Sequence, residues 1–239
     1  MGKMKCFLIL DVETCGDMEA PLVYDLGAQV VNLSGRVLES ASWTIYDIYA
    51  GQRELMKSAY YADKLPQYEI DMREGKRVMK RFFSVRKIIH NWLKHYDVLA
   101  VCAYNAKFDR LALNNTIRFL TDGRMKWFFP YGTEFIDIWN MASSTIFQTA
   151  KFRKMAYENG WYTSKGNVLT NAEVAYRYLT GNTQFEEAHT GLEDVKIETE
   201  IFLHCWKKTS SADRKIIGQT WRKPQPMWRY TEAKMDGVI

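Results

Sequence analysis

The sequence predicts an α/β fold, a mixed central sheet flanked by helices, and three observations predict it. An apolar strand opens the chain, two further strands joined by a short turn follow it, and beyond residue 80 helical patterns alternate with short apolar strand segments. The first three strands should form an antiparallel meander, and the later ones should add in parallel.

Lys5 to Glu13 reads as the buried first strand. The apolar run Cys6 to Leu10 gives way to an alternation in which Val12 turns away from Asp11 and Glu13, because side chains two apart share a strand face. Leu22 to Asn32 and Arg36 to Tyr46 are the next two strands, joined at Leu33-Ser34-Gly35 by a turn of hairpin length. Asp47 to Met79 has no clean period and contains Tyr60-Tyr61, Pro66 and Gly75, which predicts irregular helices in an insertion. Ser84 is expected to cap a helix through Tyr96, with Val85, Ile88, Ile89, Trp92 and Leu93 at helical spacing. Val98 to Ala103 is almost wholly apolar, as a central parallel strand would be. Tyr104-Asn105-Ala106-Lys107 breaks it, and a helix is expected from about Phe108 to Leu120. Phe135-Ile136-Asp137 reads as a short strand end leading into a helix through Gln148. Thr170-Asn171-Ala172-Glu173 is a capping box for a helix to Leu179 that Gly181 stops, and Thr190 to Trp206 is the last helix. The weakly periodic stretch from Ser210 to Ile239, with Trp221, Pro224, Pro226 and Trp228, reads as a tail.

Composition bounds the function. A chain of 239 residues, 47% hydrophobic and 26% charged, is neither disordered nor fibrous, and length favours one domain with insertions over two. No apolar run approaches the roughly 18 residues of a membrane span, so neither a signal peptide nor a membrane partner is expected. Cys6, Cys15, Cys102 and Cys205 are widely spaced, without a zinc-like cluster, which suits reduced thiols in a cytoplasm. The net charge of +5 is modest, but it is unevenly placed. From Arg73 to Lys94 eight Lys or Arg face one acid, Glu74, and from Lys207 to Arg229 seven face Asp213 alone. Such runs suit a polyanion and equally suit solvated surface. Trp221-Arg222-Lys223 and Trp228-Arg229 interleave aromatics with cations, as a single-strand stacking surface does, though the same residues could pack back on the domain.

Separate segments deliver acids to one place. Asp11 and Glu13 leave the first strand together, Asp109 opens the helix after Val98 to Ala103, and Asp194 lies in the last helix, five residues after His189. Singly, Asp109 reads as a helix cap and Asp194 as a partner for Lys196; jointly, four carboxylates would repel one another and stay ionised only around cations. Hard oxygen ligands select Mg²⁺ or Mn²⁺ over zinc. Asp17, Asp25 and Asp137 match no such spacing and are expected to be structural or solvated. His90, His95 and His204 sit on helices as packed or surface residues. Cys15 is a candidate to line the site, where thiol modification would inhibit, and Phe108 is expected in the core.

Asp11-Val12-Glu13-Thr14, then Tyr104-Asn105-Ala106-Lys107-Phe108-Asp109, then His189-Thr190-Gly191-Leu192-Glu193-Asp194 resemble the three motifs of the DEDDh, or DnaQ-like, 3′→5′ exonucleases. The order DxET, NAxFD, HxxLxD is far more specific than any one of the three, and the resemblance spans about Lys5 to Cys205. It implies a ribonuclease H-like sheet and two-metal phosphodiester hydrolysis with two Mg²⁺ or Mn²⁺ ions. By the family's pattern Asp11 bridges both ions, Glu13 and Asp194 complete the first, Asp109 holds the second, and His189 is the general base for the attacking water. Thr14 and Asn105 are the motif positions expected near the terminal nucleotide.

The domain so implied covers 1–206, with the insertion at about 47–80 and the basic, Trp-containing tail at 207–239. The implied activity removes nucleoside monophosphates from single-stranded or unpaired 3′ ends of DNA. The same motifs serve an RNA 3′-end trimming enzyme, a proofreading subunit with a separate polymerase partner, or a non-catalytic nucleic-acid-binding module. All five motif residues are present, which weighs against the last.

Overall fold

The opening apolar run becomes β1 (Cys6–Cys15), and in the computed structural model, which describes residues 5–209, this strand lies inside a six-stranded sheet. It pairs antiparallel with β2 (Leu22–Asn32), which pairs antiparallel with β3 (Val37–Ile45). On its other side β1 takes β5 (Val98–Ala103) in parallel, and β5 takes the short β6 (Phe135–Asp137) in parallel. With the three-residue β4 (Val78–Lys80) the strand order is β4-β3-β2-β1-β5-β6. The expected mixed α/β sheet, a meander with parallel additions of ribonuclease H-like form, is present.

Helices cover both faces because β1 is apolar on both. Leu8, Leu10 and Val12 join one core with α4 (Phe82–His95) and α5 (Ala106–Leu120), through Val85, Ile89, Leu113 and Ile117. The same core takes in Ile48 and Tyr68 from α1 (Tyr46–Tyr49) and α3 (Leu65–Arg73). Phe7 and Ile9 face the other core, built by α6 (Ile138–Thr145), α7 (Ala150–Glu158), α8 (Ala172–Thr180) and α9 (Gly191–Lys208).

Several element bounds differ from expectation, each for a local reason. The segment after β3 forms α1, α2 (Arg53–Met56), a 3₁₀ turn at Ala62–Lys64 and α3, and then returns as β4 parallel to β3. That edge strand is too short to show a period. Helix α4 begins at Phe82 and is capped from afar, since Asp47 Oδ2 accepts the Phe82 N–H at 2.7 Å, so Ser84 lies inside it. Helix α5 begins two residues early, at Ala106. The helix after β6 stops at Thr145, and α7 follows as a separate helix capped by Thr149. Asn171 rather than Thr170 caps α8, accepting from the Val174 N–H at 3.2 Å. The expected tail from Ser210 onward lies outside the described residues. All four cysteines are buried free thiols. No helix among the described residues is long and apolar enough to cross a membrane.

Candidate active site

The strand period puts Asp11 and Glu13 on the β1 face that α9 covers, and Asp194 enters from the first turn of α9. Carboxylate oxygens of the three lie within 4.8 Å of one another. Two glycines allow that approach. Gly27 is paired with Asp11 across the β1–β2 ladder, and a Cβ at Gly27 would fall on the Gly191 backbone. Any side chain at either position would push the start of α9, and Asp194 with it, off the strand.

Buried Asp25 fixes the same helix end. Its Oδ2 accepts from the Gly191 N–H at 3.2 Å, the Tyr68 hydroxyl at 2.8 Å and Arg77 Nη1 at 2.7 Å. Arg77 also lies over the Tyr68 ring, 3.7 Å from its centroid. Asp25 is therefore structural and unsolvated, and it ties β2, α3 and α9 together.

A cleft of about 350 Å³ opens over the acids, lined among others by Thr14, Tyr61, Asn105, Phe108, Asp109 and His189. The β1–β2 register shifts between Glu13 and Thr14, and such an irregularity lets both line the cleft although successive residues of a regular strand face opposite sides. Asn105 adopts a left-handed φ of 71°, a conformation Asn tolerates, and stands at the N-terminal boundary of α5 in the turn after β5, its side chain making no capping bond to the helix. Its N–H donates to Asp137 Oδ1 at 3.1 Å, and the Tyr104 N–H donates to Glu198 Oε2 at 3.2 Å. Asp137, read as structural or solvated, is thus a buried structural cap. The N-terminal turn of α5 then carries Asp109 into the cleft, buried and beside Asp11 but outside the tight group of three.

The seven residues expected to act as ligand, base or nucleotide contact all line this one cleft: Asp11, Glu13, Thr14, Asn105, Asp109, His189 and Asp194. Two expectations fail. Phe108 is half-buried and lines the cleft, next to Asp109 in the first turn of α5. Cys15 points into the core beside Leu22 and Tyr24, and burial pushes its thiol up to about 11, so it is no target for modification. Glu187, Glu198 and Tyr61 also line the cleft and were missed. Glu198 had a signal, since it follows Asp194 by four residues on one helix face; Glu187 and Tyr61 had none.

Burial dominates the electrostatics, and the crowding of like charges adds to it. Burial, then the charges of Asp11 and Asp194, raise Glu13 to about 10. Burial, then Asp11 and Glu187, raise Asp194 to about 9. Burial and Asp25 raise Asp11 to about 7, and Asp109 and Glu198 lie well above the usual carboxylate range, mainly through burial. Burial lowers His189, which keeps the imidazole neutral and able to accept a proton.

The donor set fits a divalent cation. Asp194 Oδ1 is buried without a hydrogen-bond partner among the described residues, the three clustered carboxylates offer hard oxygen only, and their mutual repulsion is what a cation would relieve.

No protein-family model matches the sequence, and no curated protein matches it. Solved structures do resemble it. A zinc-bound exonuclease I from E. coli in complex with single-stranded DNA superposes with a TM-score of 0.54 at 14% identity, over 89% of this chain and 43% of that one. The E. coli enzyme with a 5cy-dT13 oligonucleotide gives 0.51 at 14% identity, over 86% and 41%. The likeness is one of fold. Exonuclease X in complex with 5′ overhanging duplex DNA aligns at 16% identity over 92% of this chain and 96% of that one, with a TM-score of 0.43. The chain thus spans about two fifths of the exonuclease I chains it resembles.

Proposed function

We propose that this chain is a metal-dependent nuclease that hydrolyses phosphodiester bonds from the 3′ end of single-stranded or unpaired DNA, releasing nucleoside monophosphates. One observation carries the reading: Asp11, Glu13 and Asp194 bring their oxygens within 4.8 Å of one another in a cleft that also holds Asp109 and His189. The fold supports it, since the exonuclease I structure it resembles is a complex with single-stranded DNA.

Asp11, Glu13 and Asp194 would hold one Mg²⁺ or Mn²⁺, and Asp11 with Asp109 a second; ions so held neutralise charge building on the phosphate and ease ionisation of water. The chain's own residues do the rest. His189, neutral and half-buried at the mouth of α9, accepts the proton of the attacking water. Thr14, at the end of β1, and Asn105, after β5, both line the cleft and hold the terminal nucleotide so that its phosphate meets the acids.

The test incubates the purified protein with 5′-labelled single-stranded DNA and RNA of one sequence, with Mg²⁺, with Mn²⁺ and with chelator. A metal-dependent ladder shortening from the 3′ end, faster on DNA, is the expected result, and Asp11→Ala should abolish it while the fold persists. Faster loss of RNA would replace the DNA assignment. Binding without cleavage, or wild-type cutting by Asp11→Ala, would overturn the assignment of the site.

A further inference from the structure

His189 is held in an unusual way. A general base must present a fixed ring, and the common device is a hydrogen bond to the nitrogen that faces away from the reaction. Among the described residues no hydrogen bond reaches the His189 ring. Instead the ring lies flat on Tyr61, with centroids 4.0 Å apart and planes 10° from parallel. Tyr60 backs the pair, meeting the Tyr61 ring edge-on at 4.8 Å and 87°.

The two rings come from different parts of the chain, and both backbones are tied down. On the His189 side, the Glu187 N–H donates to Glu173 Oε2 at 2.8 Å and the Gly191 N–H to Asp25, so the residues on either side are anchored. His189 itself sits at a left-handed φ of 55°, two residues before α9 begins. On the Tyr61 side, the Tyr60 N–H donates to the Thr14 carbonyl at 3.3 Å and Ser58 Oγ accepts from the Gly16 N–H at 2.9 Å. The segment bearing Tyr61 is thus fastened to the end of β1, next to Glu13. Only the side-chain torsions of His189 remain to be fixed, and the stack fixes them.

We infer that Tyr61 is a positioning residue for His189, so that the segment at about 47–80 completes the catalytic apparatus as well as flanking the cleft. This rests on the hydrolytic reading above. Tyr61 acts through the imidazole: its ring face confines the imidazole to a plane within the cleft, and a misplaced base loses rate without loosening the substrate.

Two variants and two readouts test it. Tyr61→Ala removes the stack; Tyr61→Phe keeps it and loses only the hydroxyl. In the full chain with labelled histidine there are four His resonances to follow, and His189→Gln assigns the relevant one. The ring current of Tyr61 should shift the His189 imidazole proton upfield; the shift should vanish in Tyr61→Ala and persist in Tyr61→Phe. In hydrolysis kcat should fall about tenfold in Tyr61→Ala with KM changed by less than about twofold, and Tyr61→Phe should restore it. A His189 resonance that does not move in Tyr61→Ala overturns the stack. A rise in KM at unchanged kcat overturns the positioning role and makes Tyr61 a substrate contact. A wild type that hydrolyses nothing overturns the hydrolytic reading and the base-positioning role with it, whereas an unmoved resonance in an active protein overturns the stack alone.

Discussion

Replacing Asp11 by Asn should stabilise the cation-free protein. In the folded chain the Asp11 carboxyl rises from 3.8 to about 7, through burial first and the charge of Asp25 second. Below about pH 4 that carboxyl is protonated whether the chain is folded or not, and it has no effect on stability. Between about pH 4 and 7 the unfolded chain has released the proton and the folded chain retains it, so the fold loses stability as the pH rises; above about 7 the loss is constant. At about 1.36 kcal/mol per pH unit the full rise amounts to about 4 kcal/mol, and solvent at the half-buried edge of Asp11 reduces this to about 2–4 kcal/mol. Asn is nearly the same shape and cannot ionise, so it removes the penalty. For a chain of this size each kcal/mol moves the midpoint by about 2–4 °C, so Asp11→Asn should melt about 4–16 °C above wild type at pH 8 in chelator. The gap should close toward pH 4. Saturating Mg²⁺ should narrow or reverse it, because a cation at 100 times its Kd stabilises the protein that binds it by about 2.7 kcal/mol. Circular dichroism melts from pH 4 to 8 decide the matter. A variant that melts below wild type at pH 8 in chelator, or a gap equal at pH 4 and pH 8, would refute the account of Asp11 as a carboxylate ionised at the expense of the fold.

Arg77→Met should destabilise by about 3–5 kcal/mol in urea unfolding, since it strands buried Asp25 without its cation; adding Asp25→Asn should recover part of the loss, and strict additivity would show the pair is uncoupled. Gly27→Ala should lower stability by at least about 1–3 kcal/mol and sharply reduce hydrolysis, because its Cβ overlaps the Gly191 backbone; an unchanged melting point would show that the contact relaxes freely. Mg²⁺ affinity should rise with pH and binding should release protons, since Glu13 at about 10 and Asp194 at about 9 carry protons that a cation displaces; calorimetry in buffers of different ionisation enthalpy would contradict this if the heat is the same in all of them.

The parts of the site that were legible in the sequence are those fixed by local periods. Asp11 and Glu13 share a face because a strand has period two, and Asp194 sits one turn into a helix whose start the chain itself marks. What could not be read depends on distant residues. The start of α4 is capped by Asp47, which lies 35 residues earlier, so Ser84 looked like the better cap. Strand β4 exists because the insertion returns to the free edge of β3, a tertiary event that three residues cannot announce. Asp25 looked as idle as Asp17, yet one is wholly buried under Tyr68, Arg77 and Gly191 and the other stands in solvent. The spacing of acids told which side chains could meet; it did not tell which buried partner would hold a helix in place while they met.

That holding has to outweigh the repulsion it creates. Helix α9 places Asp194 and Glu198 toward the cleft and, farther along the same sheet-facing side, buries Ile201 and Cys205, with Val195 and Phe202 beside them, in the core with Phe7 and Ile9. At about 1.5–3 kcal/mol for each large apolar side chain, Val195, Ile201 and Phe202 alone contribute about 5–9 kcal/mol to keeping the helix on the sheet. The ionic penalty at Asp11 is about 2–4 kcal/mol, and Glu13 and Asp194, raised further still, add penalties of the same kind, so the packing of α9 is opposed by a cost of its own order until a cation arrives. The core gathers the acids and a cation relieves the cost of gathering them, so cation binding and the stability of the fold are coupled at this one helix.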